Sequence, residues 1–203
     1  MSDEQNERLA LLNEALSAYE WLLKRKYKIK LGYKNSETEI ELVFLNKNFV
    51  HVAGINKLSD IWSNDISASS FYRLLTNDDN YKRIVISSQM FNIIVGRLRS
   101  IIDLKDNLED VENNRHIKFV RRDSQYHTSI KYDYLIISHF GNDSYHYFLR
   151  LSGNSNNRKE CVLISTFIEN ARDYSIGQQQ MTLLRKSIVE LENNVETIIF
   201  ERA

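Results

Sequence analysis

The sequence predicts an α+β fold in which N-terminal helices pack on a twisted antiparallel sheet. Three observations carry this. Through the first hundred positions, apolar residues recur mostly at helical spacing. From about residue 116 they alternate with polar ones, and turn-forming clusters separate the runs. No apolar stretch approaches the roughly 18 residues that a membrane span needs, so no membrane partner is expected.

Residues 4–25 read as a helix. Leu9, Leu12, Leu16, Tyr19 and Leu23 form its stripe, Ser2 or Asp3 its cap, and Lys24, Arg25 and Lys26 complement its C-terminal dipole. Residues 27–33 and 38–45 form a hairpin around Lys34-Asn35-Ser36-Glu37. Lysines on one strand face glutamates on the other, as cross-strand pairs do. A short helix with irregular flanks follows at 46–61, and a second spans Ser67 to Leu75. Residues 81–104 hold one or two helices with Met90, Ile94, Leu98 and Ile101 or Ile102 inward, while Arg97 and Arg99 lie off that stripe. Residues 105–115 read as an exposed polar connection.

The β half begins at Ile117 and Phe119. Runs around 130–138, 145–150 and 161–166, broken at Gly141-Asn142-Asp143-Ser144 and Gly153 to Asn157, form a three-stranded meander. Tyr174 to Met181 reads as a helical turn, Leu183 to Val189 as a closing strand, and Val195 to Phe200 as β-prone.

A chain of 203 residues suits a single domain over 1–203. Its parts are an N-terminal helix (1–26), an α+β core (27–191) and a C-terminal strand or extension (192–203). With 42% hydrophobic and 27% charged residues, disorder is not the default. The single cysteine, Cys161, forms no intrachain disulfide and reads as a buried, inert thiol. With no signal peptide expected, a cytoplasmic protein follows. Net charge is zero, so any nucleic-acid contact falls to local patches.

Several chemistries lack their residues. The five histidines give no HExxH pattern, and His139 and His146, facing across a hairpin without a carboxylate, make no metal site. There is no glycine-rich phosphate loop and no Gly-x-Ser-x-Gly elbow, so neither metal nor cofactor is expected. Acid–base chemistry without metal remains. RNA brings its own nucleophile, the 2′-hydroxyl, and needs only a base, an acid and donors for the phosphate. His51 and the segment from Ser165 to Gln178 carry such groups. Arg115, Lys118, Arg121, Arg122 and Tyr126 form the best basic–aromatic cluster for an RNA backbone, or solvate an edge strand.

Phe49-Val50-His51-Val52-Ala53-Gly54, followed by Lys57-Leu58-Ser59-Asp60-Ile61, resembles the F-x-H-L-x-G-(I/L)-x-x-L-x-D-I signature of a phage-associated nuclease family in the barnase–EndoU–colicin–RelE group of small RNases. Leu163-Ile164-Ser165-Thr166-Phe167 is similar to that family's P-(I/V)-S-F-F, Tyr174 with Gly177-Gln178 to its Y-x-x-G-Q, and Leu183-Leu184 with Lys186 to its V-L-x-K. Val52 replaces a common leucine, Leu163 a usual proline and Thr166 an aromatic. The likeness spans about 27 to 188. It implies a metal-independent endoribonuclease, toxin-like or anti-defence, with a site where the helix carrying His51 meets the sheet. His51 would be base or acid and Tyr174 the partner acid or a phosphate donor. Ser165, Thr166 and Gln178 would bond the phosphate, and Lys57 would offset its charge.

Other readings stay open. His51, among Val50, Val52 and Ala53, is also what a hydrogen-bonded core histidine looks like. A neutral protein with 11 tyrosines also suits a non-catalytic phage inhibitor that captures a host defence protein or a ribonucleoprotein such as a CRISPR effector. In the nuclease reading, His51, Ser165, Tyr174 and Gln178 must line one concave surface.

Overall fold

The computed structural model describes residues 1–63, 65–109, 117–121, 130–140, 142–152, 159–172 and 174–202. Helix α1 (Asp3–Leu23) starts at a capping box, in which Ser2 Oγ accepts from the Gln5 N–H and Gln5 Oε1 from the Ser2 N–H. It buries Leu12, Ala15, Leu16, Tyr19 and Leu22, so the stripe ends on Leu22 rather than Leu23. Of the three basic residues after it, Arg25 completes the C-terminus. Its guanidinium donates to the Trp21 carbonyl (3.0 Å), pairs with Glu190 (2.8 Å) and lies 3.6 Å from the Trp21 ring centroid.

Strands β1 (Arg25–Tyr33) and β2 (Ser36–Val43) form the expected hairpin. Lys28 and Lys30 stand opposite Glu41 and Glu39, but the ion pairs are shifted: Lys26 to Glu41, Lys30 to Glu37 and Lys28 to Glu196. Five further helices follow among the described residues: α2 (Asn46–Val52), α3 (Ala68–Asn77), α4 (Asp79–Ser87), α5 (Asn92–Ile102) and α6 (Leu104–Glu109), with a 3-10 turn at Ile55–Lys57. The expected exposed connection after residue 104 instead opens with α6, which buries Leu104, Asn107 and Leu108. Asn107 tolerates burial because its amide donates to Tyr147 Oη and its oxygen accepts from Ser138 Oγ, both at 2.7 Å.

Strands β3 (Ile117–Arg121), β4 (Tyr134–Phe140), β5 (Asp143–Leu151), β6 (Glu160–Ile168), β7 (Gln179–Glu190) and β8 (Glu196–Glu201) complete the sheet. β4, β5 and β6 are the predicted meander. The sheet departs from the expected antiparallel one in two ways. β2 pairs with β6 in parallel, and β1 pairs with β7, so the order β1-β2-β6-β5-β4-β3-β7 closes into a barrel-like ring. β8 adds to β7. The helical turn expected over Tyr174 to Met181 is instead a tight turn at positive φ on Gly177 (72°), followed directly by β7.

The helices and one sheet face share the main apolar core. A second cluster on the other face holds Val120, Tyr132, Leu135, Ile137, Phe148 and Tyr174. Among the described residues, no helix is long and apolar enough to cross a membrane.

Candidate functional site

Helix α2 is short and lacks a side-chain N-cap; it is tied down by its surroundings. Tyr19 Oη donates to the Leu45 carbonyl (2.9 Å), and Asn48 Nδ2 donates to the Leu163 carbonyl on β6 (3.1 Å). Phe49, Val50, Val52 and Ala53 are buried, which turns His51 outward, where it is exposed. The core-histidine reading is thereby set aside. Gly54 ends the helix at φ 77°, with its N–H on the His51 carbonyl. Ile55 and Leu58 are buried, and Lys57 is exposed between them. Asp60 has a structural task. Its carboxylate accepts from Ser88 Oγ and from the Gln89 N–H (3.0 Å), holding the turn from which α5 springs.

Helix α5 carries Arg97 to the edge of β6. β2 covers that edge only over Glu160 to Val162; beyond, α2 and α5 pack on β6. A bulge leaves Ile164 as the extra residue, since Leu149 faces Leu163 while Phe148 faces Ser165. The alternation therefore resets. Thr166 and Ile168 turn to the helices, while Ser165 and Phe167 lie on the other face.

Arg97 Nη1 donates to Ser165 Oγ (3.1 Å) and to the carbonyl of Val52 (3.4 Å), the residue after His51. Its guanidinium carbon stands 5.7 Å from the Phe167 ring centroid. The arginine stem runs across Gly54, where a Cβ would come within 2.5 Å of Arg97 Cδ. Burial pulls Arg97 below its ordinary pKa, although a guanidinium stays charged even so. Lys57 is also drawn down, first by desolvation and then by the charge of Arg97.

A family model described as phage-Barnase-EndoU-ColicinE5/D-RelE like nuclease4 matches residues 11–202. The chain belongs to this family. Both the His51 stretch and the Ser165 to Gln178 segment lie within the matched residues, and a nuclease family implies a nucleic-acid substrate. The comparisons with curated proteins and with solved structures found no match.

Within this nuclease, the residues expected to converge do so only in part. Ser165 is joined through Arg97 to the stretch that bears His51 and Lys57. Thr166 is not available to a phosphate, because its side chain is wholly buried and hydrogen-bonded to Ser100 on α5. Tyr174 is buried in the second cluster, its ring 5.7 Å from Phe167 and 5.0 Å from His146, with Arg172 4.8 Å from its centroid. Gln178 lies in the turn before β7 rather than on a helix with Tyr174, and its Nε2 donates to Tyr132 Oη (3.1 Å). His139 and His146 are not directly opposed across the hairpin, since His139 pairs with Ser144 and Ile137 with His146. Cys161 is fully buried, and burial pushes its thiol up to about 12.

Of the basic–aromatic cluster, Lys118 and Arg121 lie on β3, Arg121 being exposed. Arg115, Arg122 and Tyr126 lie outside the described residues. The residue that sequence reading missed is Arg97, 45 positions from Val52 and 68 from Ser165. The only local hint was that it stood off the apolar stripe of its helix.

Proposed function

We propose that this family member is a metal-independent endoribonuclease, toxin-like or anti-defence in role, that works in the cytoplasm by acid–base catalysis. The observation that carries the reading is His51. It is exposed between the buried Val50 and Val52, one residue from a carbonyl bound by a half-buried arginine. Histidine is the side chain most often used for general acid–base proton transfer. Lys57 offsets the phosphate charge, and the Ser165 hydroxyl, already accepting from Arg97, keeps its own proton to donate to a phosphate oxygen.

In the reaction, a base takes the proton of the 2′-hydroxyl, and that oxygen forms a bond to phosphorus. The bond from phosphorus to the 5′-oxygen breaks, and an acid protonates the leaving oxygen. The products are a 2′,3′-cyclic phosphate and a 5′-hydroxyl. His51 serves one of the two proton transfers. The second group is drawn from the face beyond Phe167, where Tyr174 and Gln178 stand.

The test is cleavage of cellular RNA by purified protein, with the ends sequenced. Wild type is expected to cut in EDTA and to leave cyclic phosphate ends. His51→Ala is expected to lose at least about a hundredfold in rate, the usual scale of one positioned acid or base. Cleavage that survives His51→Ala, or that disappears in EDTA, overturns the reading.

A further inference from the structure

We infer that Arg97 is the phosphate anchor of this protein: its free Nε–Nη2 edge takes two oxygens of a backbone phosphodiester beside His51. This rests on the nuclease reading for the identity of the anion as RNA. The anion site itself rests on geometry.

Four arginines are intermediate in burial among the described residues: Arg8, Arg25, Arg97 and Arg185. Three have carboxylates, with Arg8 on Glu4 (2.5 Å), Arg25 on Glu190 (2.8 Å) and Arg185 on Glu201 (3.9 Å). Among the described residues, Arg97 has no carboxylate within ion-pair distance. Both of its hydrogen bonds are made by Nη1, to a neutral hydroxyl and a neutral carbonyl. A guanidinium cannot shed its charge when buried, so an unneutralised one costs stability that a bound anion restores.

The hydrogen bonds also choose the edge. With Nη1 occupied by Ser165 and Val52, the remaining N–H groups are on Nε and Nη2. These form the parallel fork that matches a phosphate bidentately. Gly54 leaves this edge its room, since a Cβ at that position would come within 3.1 Å of Nε. Desolvation, and after it the charge of Arg97, draws Lys57 below its ordinary pKa, so a second positive charge lies in the field of Arg97. A phosphate on this fork would therefore sit in the field of a second cation, while Ser165 and Val52 hold the opposite, Nη1 side of the guanidinium. Phe167, with the guanidinium carbon 5.7 Å from its ring centroid, closes the other side with an apolar wall.

The probe is a fluorescein-labelled single-stranded oligoribonucleotide with 2′-O-methyl groups, which cannot be cut through the 2′-oxygen. Its binding is followed by anisotropy over a range of salt concentrations. Arg97→Met is expected to weaken binding about ten- to a hundredfold and to reduce the salt slope by about one. Arg97→Lys keeps the charge but not the fork, and is expected to fall between. Arg99→Met, at an exposed neighbour on the same helix, serves as the control and is expected to bind as wild type.

In parallel, the Arg97 Nε–Hε resonance is expected to shift when inorganic phosphate is titrated in. If Arg97→Met fails to fold, Arg97→Lys and the resonance decide. Unchanged affinity and salt slope in a folded Arg97 variant overturn the inference, as does a wild type that does not bind the probe. If wild type cuts RNA and Arg97 proves silent, the anchor falls and the nuclease reading survives. If Arg97 variants lose the probe but wild type cuts no RNA, the anchor stands and the nuclease reading falls.

Discussion

Ser165 and Thr166 are adjacent hydroxyls with opposite surroundings. Strand alternation sends Thr166 into the core, where it bonds Ser100, and Ser165 to the other face, where Arg97 holds it. Replacing Thr166 with valine keeps the shape but leaves the Ser100 hydroxyl short of a partner. The expected cost is about 1–3 kcal/mol in urea unfolding. Binding of the methylated oligonucleotide should stay within about twofold of wild type, because the hydroxyl faces away from Arg97. A Thr166→Val protein of full stability that lost the probe would return this residue to the phosphate site. Its residue type made Thr166 a candidate phosphate ligand, and the β6 bulge at Ile164 gives the reason it faces the core instead.

The element that shapes the site is the turn from α2 into the 3-10 turn. Gly54 meets two demands there, a positive φ of 77° and the passage of the Arg97 stem. Gly54→Ala is expected to cost about 1–3 kcal/mol from backbone strain alone. It should also push Arg97 away, so probe affinity should fall in the same variant, still folded by circular dichroism. If affinity is kept while stability drops, the glycine serves the turn only. The helices legible beforehand were those with a periodic apolar face, such as α1 and α5. Helix α6 was not, because its inward face includes Asn107, a residue whose burial makes sense only once Tyr147 and Ser138 are opposite it.

Across the molecule, the pairing that closes the ring joins Arg25 to Glu190 and Tyr27 to Ile188, near the two ends of the chain. Such contacts demand loop closure before they stabilise anything. The amides of Tyr27, Ile29 and Ile188, inside β1 and β7, are expected to exchange with solvent only through global unfolding. Those of β8, which adds to β7 outside the ring, should exchange faster. Hydrogen exchange by mass spectrometry on fragments covering 27–31, 183–189 and 196–201 checks this. Equal protection of β8 and β1 would show that β8 belongs to the same cooperative unit.

The features legible in the chain were local. Alternation placed β1, β2 and the β4–β6 meander, and helical spacing placed α1 and α5. The motif around His51 marked the nuclease family that the match over 11–202 bears out. These follow from neighbours a few residues apart, and periodicity reports such neighbours directly. The parallel β2–β6 pair, the closure of β1 on β7 and the meeting of Arg97 with Ser165 and Val52 came from long-range packing. Each joins positions dozens to more than a hundred residues apart, through an edge or a hydrogen bond that leaves no periodic trace in the chain. Whether an arginine stands alone or beside a carboxylate is a fact of packing. The composition holds 27 basic and 27 acidic residues, and nothing in their order says which cation is left unmatched.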